Sequence, residues 1–308
     1  MIRTAFQHRV VAAWILWASA MMLNAFVGVL VQRYFISRGI SKVEVLFDIG
    51  FELLPYIPSK SLGFSLPDLC TLLSATMMAK SLIVTFPPHL AVILLRRVLC
   101  ISAIAYFGRA ISVPLTLLPN PDGDCVPHMY PENIFLTTLL VPFGARVTCA
   151  DVFYSGHTIP ITCAILMWKD YMRFNRLRVF GMLASWVSLL GIIVTHFHYT
   201  VDVFYGMVVT YLIWRLYHYF LTVPSVLLNS PILLWFEQAD SMGDLTGRSP
   251  LAGVFPIDFS RDPRIAWSFT NKNALKREIQ SRLSPTQLAL LLVVALSLSP
   301  SWIALFTR

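Results

Sequence analysis

Charge is what this sequence has least of. Asp, Glu, Lys and Arg make up only 13% of its 308 residues, about half the share of a soluble globular domain. Apolar residues make up 56%, and mean hydropathy is +0.67. The charge is missing from several stretches near the ~20 residues needed to cross a bilayer core of about 30 Å. That excludes a soluble enzyme, a disordered chain and a small secreted disulfide domain. Other things are missing too. No period-2 alternation suggests a β-barrel, and there is no internal repeat and no low-complexity segment. There is no HExxH run and no cysteine pair at zinc-finger spacing, so no metal and no cofactor is expected. A net charge of +8 in such a chain reads as basic loops on one membrane face and not as nucleic-acid binding.

What is present is a series of apolar runs with few charges, the second apolar except for Lys80 and the third interrupted by Arg109. Residues 10–31, 69–95, 98–118, 148–168, 179–194 and 199–220 read as six membrane spans, and 285–306 is a candidate seventh. In lipid every backbone group must be paired within its own segment, so these runs are helices. The first is too long for a signal-peptide core and is expected to be retained. The fold expected is therefore all-α and polytopic, a single domain over residues 1–308. Its core runs over 10–220, a polar loop over 221–284 with a short helix near 272–282, and an apolar segment over 285–306. With a cytoplasmic N-terminus, the inner loops receive Arg3, Arg9, Arg96, Arg97, Lys169, Arg173, Arg176, Arg178 and Arg215. The outer side receives Arg33, Arg38, Lys42 and Lys60, balanced by acids, and Arg146.

Ionisable side chains in or beside a span are functional candidates, and two groups stand out. One is the run Cys149-Ala-Asp-Val-Phe-Tyr-Ser-Gly-His-Thr158, opening the fourth span; the other is His196-Phe-His-Tyr-Thr-Val-Asp202, opening the sixth. Both fall on the non-cytoplasmic side in this topology. On a helix, His198 and Asp202 share one face. A carboxylate there fixes the imidazole tautomer and leaves the second nitrogen free as base or nucleophile. Ser155-Gly156 suits a turn that brings a hydroxyl and an N–H to an anion. Two histidines and a carboxylate at one membrane surface fit phosphoryl transfer, with one histidine attacking or deprotonating and the other protonating the leaving alkoxide. A metal site from His157, His196, His198 and Asp202 is the alternative. Asp151 could bind a head group or cap a helix N-terminus. Tyr154 and Tyr199 could line a head-group pocket or belong to the interfacial aromatic belt.

Cys125 and Cys149 both fall on the predicted outer side, where a disulfide persists. They form either a bridge tying the 119–146 loop over the site or two buried thiols.

Ser-Gly-His on one helix and His-x-x-x-Asp on a later one resemble the motifs of the lipid phosphate phosphatase superfamily. The fuller strings resemble the sphingomyelin synthase family of ceramide phosphotransferases. Leu46 through Pro55 resembles that family's first segment. Arg96-Arg97 with Tyr106, Arg109 and Leu118-Pro119 resembles the second, Cys149 through Tyr171 the third, and His196 through His218 the fourth. The resemblance implies His157, His198 and Asp202 as the catalytic group. It also implies transfer of a phosphorylated head group (choline, ethanolamine or inositol) from a glycerophospholipid to the primary hydroxyl of ceramide, releasing diacylglycerol. The partners are then membrane lipids, with a homo-oligomer left open. The compartment is the Golgi, another endomembrane or the plasma membrane, with the site lumenal. There are departures from the pattern. Ala150 stands where the family has Gly, and Phe197 where animal members often have Glu. The Lys and Arg with which the phosphatases hold phosphate are absent, and Ile192 occupies the position of that Arg. Arg109 or Arg96 would then cradle the phosphate, although Arg96 and Arg97 also read as ordinary boundary residues. A water-using lipid phosphatase or phospholipase C-like hydrolase is the competing enzyme. A transporter with His and Asp as ion ligands would be expected to show broken helices in paired halves, and the sequence shows none.

Overall fold

The computed structural model describes residues 2–39, 44–59, 65–85, 88–123, 125, 127–172, 175–222 and 229–241. Among them all regular structure is helical. The elements are α1 (Ile2–Ser37), α2 (Ile49–Leu53), α3 (Leu66–Thr85), α4 (Pro88–Ser112), α5 (Ile134–Leu140), α6 (Thr158–Tyr171), α7 (Asn175–Val194), α8 (Thr200–Thr222) and α9 (Pro231–Ser241). Lys42, Lys60, Arg173, the predicted helix near 272–282 and the apolar run 285–306 lie outside the described residues.

Three of the helices contain segments long and apolar enough to cross a bilayer: His8–Ser37, Ala91–Ser112 and Asn175–Val194. α6 sits at the centre of the bundle, with Ile159, Ile161, Cys163, Met167 and Trp168 essentially inaccessible. A helix apolar all round is stable only when packed on every side. α1 runs along α4, bringing Ala13 and Ala20 close. α7 is apolar outward along its length, and its inward face is small or polar over 181–188 and apolar at Leu189, Ile192 and Ile193. It exposes Phe180, Leu183, Val187 and Leu190 and buries Gly181, Ser185 and Ser188. Small residues at helix contacts and large apolar ones outside are the pattern of a bundle in lipid. A Cβ at Gly181 would stand 2.3 Å from the Trp168 ring, so only glycine lets α7 approach α6 there. Ser74 of α3 donates to Ser188 of α7 at 3.1 Å, a polar tie between two otherwise apolar surfaces.

Two boundaries differ from the sequence expectation. The run read as one span over 69–95 is divided between α3 and α4. Apolarity is continuous through this stretch, but Pro87-Pro88 stops one helix, and Pro88 starts the next at a position where a missing N–H costs nothing. The run read as a span from Thr148 is irregular as far as His157, and helix begins only at Thr158.

The first of these shifts places Arg96 and Arg97 within α4, where they are fully buried, and not at a cytoplasmic loop. Their counter-ion is Glu237 of α9. Arg96 Nη2 and Arg97 Nη2 stand 2.9 and 2.8 Å from Glu237 Oε2, and the Tyr217 hydroxyl donates to Oε1 at 2.7 Å. Burial alone would raise the Glu237 carboxyl; Arg97 and Arg96 hold it below the usual carboxylate range. The cluster lies at the Tyr171 end of α6, with the Tyr171 hydroxyl 2.7 Å from His218 Nε2.

Candidate active site

The irregular segment 148–157 and the turn between α7 and α8 meet at the other end of α6. There a cavity of about 220 Å³ opens between α1, α3 and α4. Its polar wall carries Asp68, Arg109, Asp151, Gly156, His157 and His198. Its apolar wall includes Met21, Ala25, Val141, Pro142 and Val147.

His157 and His198 face one another across this space with ring centroids 6.0 Å apart. Each has a carboxylate. His157 Nε2 lies 2.9 Å from Asp68 Oδ1, and His198 Nδ1 lies 3.9 Å from Asp202 Oδ2. Asp202 is fully buried, and its Oδ2 also accepts the Tyr199 N–H at 3.2 Å. Catalytic hydrogen bonds are commonly long until substrate binds, and neither His198 Nδ1 nor Asp202 Oδ1 has a hydrogen-bond partner in this state. Burial pushes the His198 ring well below the usual imidazole range. His157 and Arg109 add to that shift, and Asp151 and the Val152 backbone oppose it. Burial thus favours the neutral form of the His198 ring. Phe197 fills the space beside both rings, edge-on to each, at 5.1 Å from His157 and 5.3 Å from His198.

Arg109 is 4% exposed and spends its donors on the frame of the cavity. It donates to Asn24 Oδ1 at 3.0 Å, to the Tyr154 and Asp151 carbonyls, and to Asp151 Oδ2 at 3.2 Å. Asp151 is therefore the Arg109 counter-ion on the cavity wall. It caps no helix, because α6 starts seven residues later. Gly156 lies on the wall, and its carbonyl accepts from Tyr106 at 3.0 Å.

The other candidates are placed elsewhere. Ser155 is fully buried against α8, its N–H donating to the Asp202 carbonyl at 3.2 Å, and does not line the cavity. Tyr154 donates to the Ala105 carbonyl at 2.6 Å, and the Tyr199 hydroxyl accepts the Leu46 N–H at 3.1 Å; neither reaches the cavity. Arg96 lies with Glu237, away from the cavity. His196 has φ +53° and stacks on Phe51 at 3.9 Å, so it does not join the other two histidines. Among the described residues no His, Cys, Asp and Glu cluster has metal-holding geometry. Cys125 and Cys149 form a disulfide with Cα atoms 5.7 Å apart, and Cys125 borders the cavity.

Three contributors escape sequence reasoning. Asp68 reads as an ordinary acid in the first turn of a helix, yet it holds His157. Asn24 sits in an apolar run and orients Arg109. Asp48 caps α2 and also accepts the Thr200 N–H at 2.7 Å and the Thr200 hydroxyl at 2.6 Å, so it pins the start of α8 beside His198. The one signal pointing to Asp48 is its place in the first family-like segment.

Residues 148–219 match the family model described as PAP2 superfamily C-terminal. The segment contains both histidines and Asp202. Similar proteins include phosphatidylcholine:ceramide cholinephosphotransferase 1 of Caenorhabditis elegans, 28% identical over 242 residues, covering 70% of this chain and 49% of that protein. Phosphatidylcholine:ceramide cholinephosphotransferase 2 of the same organism is 29% identical over 220 residues, covering 64% and 62%. The human phosphatidylcholine:ceramide cholinephosphotransferase 1 is 31% identical over 140 residues, covering 41% and 34%. Each match spans less than two thirds of the relative's length. With helices apolar enough to cross a membrane and its histidine pair inside the matched region, this integral membrane chain is similar to the sphingomyelin synthases and to the PAP2 superfamily.

Proposed function

We propose that the chain is a ceramide phosphotransferase that moves a phosphorylated head group from a glycerophospholipid to ceramide. The observation that carries this reading is the pair His157 and His198, facing one another across a single cavity, each beside a carboxylate. Such an arrangement suits a double displacement at phosphorus. The neutral His198 ring, positioned beside Asp202, attacks the donor phosphorus. The bond from phosphorus to the diacylglycerol oxygen breaks, and His157 gives that oxygen a proton. Ceramide then enters, and its primary hydroxyl gives its proton to His157 and attacks phosphorus. The bond from phosphorus to His198 breaks and both rings are restored. Asp68 holds His157 in place through both steps. Direct transfer, with His198 as general base on ceramide, uses the same residues.

Arg109 is the cation nearest the reacting groups. Because Asp151 and Asn24 already hold it, it acts as a fixed dipole source on the cavity wall and not as a free clamp. The protein works in an endomembrane or the plasma membrane with the cavity lumenal. The test is purified chain in vesicles with fluorescent ceramide and, in turn, phosphatidylcholine, phosphatidylethanolamine and phosphatidylinositol. Products are read by mass. A phosphosphingolipid appearing with diacylglycerol supports the proposal and names the donor. Head-group release that is indifferent to ceramide would show water as the acceptor and replace transferase with hydrolase.

A further inference from the structure

The connection from α4 to α6 has two unlike faces. Its α5 portion, capped by Asn133, buries Thr137 and Thr138 against α1 and turns Phe135 (69% exposed), Leu136 and Leu139 (52%) outward, with Phe143 following. Polar in and apolar out is the reverse of what water requires. The next turn faces the cavity, where Val141, Pro142, Gly144 and Val147 form part of the wall. The unit is closed at its base. The Tyr130 hydroxyl both accepts the Val147 N–H at 2.9 Å and donates to the Val147 carbonyl at 3.0 Å, and Glu132 pairs with Arg146. Gln32 of α1 bridges it, donating to the His128 carbonyl at 3.0 Å and accepting the Cys149 N–H at 2.7 Å. The Cys125–Cys149 disulfide adds a covalent tie. The unit is thus fixed to a membrane-spanning helix and is not a loose loop.

We propose that α5 and Phe143 form a lip inserted into the acyl region of the bilayer leaflet at the catalytic end, across which lipid passes into the cavity. The occupant of the apolar face is the leaflet because that face continues the outward face of α1. Phe135 stacks on Phe26 with ring centroids 6.2 Å apart, and Leu23 and Leu30 are exposed on the same helix. Whatever surrounds the span of α1 also surrounds α5. An apolar helix face that is too short to span lies at the headgroup–acyl boundary. One backbone unit therefore carries both the lipid-facing surface and part of the reaction cavity. The insertion does not depend on the transferase reading; the passage of substrate across it does.

The experiment has two arms. In the full chain with Cys70, Cys100 and Cys163 replaced by alanine, bimane is attached at Leu139→Cys and the protein is placed in phosphatidylcholine vesicles. Acyl-brominated lipid should quench the probe strongly relative to ordinary lipid. Equal emission in both vesicles, or cross-linking of Leu139→Cys between two copies, overturns the lip. In the second arm, Phe135→Ser with Leu139→Ser should raise the apparent KM for long-chain ceramide in vesicles roughly tenfold or more, since two large apolar side chains lose their burial. Turnover of a short-chain ceramide should be unchanged. An equal fall for both ceramides contradicts passage across the lip. If the unaltered chain transfers nothing to any ceramide, the transferase reading fails, while quenching still decides the insertion.

Discussion

Asp68 illustrates how the site divides its labour at the level of single residues. Both histidines carry a carboxylate, but one partner is near in sequence and the other is not. Asp202 lies four positions after His198 and can be picked out by spacing. Asp68 is 89 positions from His157 and joins it only through tertiary packing. Asp68→Asn keeps the size and removes the charge. Transfer should fall about 100-fold, mainly in kcat, because a catalytic imidazole loses the group that orients it, while the melting temperature in detergent stays near that of the parent. An unchanged kcat would reduce Asp68 to a structural contact. His198 supports a second prediction. In the proposed mechanism its proton-free form is the active one, and burial disfavours the protonated ring. The acid limb of kcat/KM should therefore lie well below pH 6.5, so that activity persists where a solvent-exposed histidine would already be charged. A limb at or above the ordinary imidazole value would contradict a buried, neutral His198.

At the level of helices, much of the fold is legible in the sequence because long apolar runs with few charges mean spans in any order of packing. α1, α7 and α8 fall where hydropathy places them. The α3–α4 boundary does not, because hydropathy is blind to a break between two equally apolar helices, and only the proline pair marks it. Arg96 and Arg97 are misplaced for a related reason. Two adjacent arginines look like a loop unless their counter-ion is known, and Glu237 lies about 140 positions away in α9, within a region the sequence reads as a polar loop. The irregular 148–157 segment does not stand apart in the sequence, because it carries a single formal charge, Asp151, and runs directly into the apolar α6. Glu237→Ala would leave both arginines buried without their carboxylate. Breaking a buried pair in this way costs about 3–5 kcal/mol. The expected result is a large drop in thermal stability in detergent, with transfer per folded molecule close to normal, because the cluster lies at the far end of α6 from the histidines. Normal thermal stability would mean that α9 does not dock through Glu237.

Seen whole, the molecule has two polar centres separated by one length of α6. His157 precedes its first turn and Tyr171 ends it, 14 residues later, roughly 20 Å along the axis. The same polarity runs along α8, from Asp202 in its first turn to Tyr217 and His218 near its last. The cavity therefore belongs to one membrane face and the Arg96–Arg97–Glu237 cluster to the other. From Lys169, Arg176 and Arg178 near the Tyr171 end of α6, we propose that this end is cytoplasmic and the cavity lumenal. Met129 is exposed on the cavity side, so Met129→Cys in sealed, right-side-in microsomes should resist a membrane-impermeant maleimide until the membrane is opened. Immediate labelling would reverse the orientation.

The central claim is that two facing histidines pass a phosphorylated head group between two lipids. The most direct measurement is the transfer assay in reconstituted vesicles, comparing the parent chain with His198→Ala and recording phosphosphingolipid and diacylglycerol together. The parent should form both in equal amounts, only when ceramide is present. His198→Ala should form neither, a loss of at least about 1,000-fold. Normal product formation by His198→Ala would contradict the account, whichever donor lipid the parent prefers.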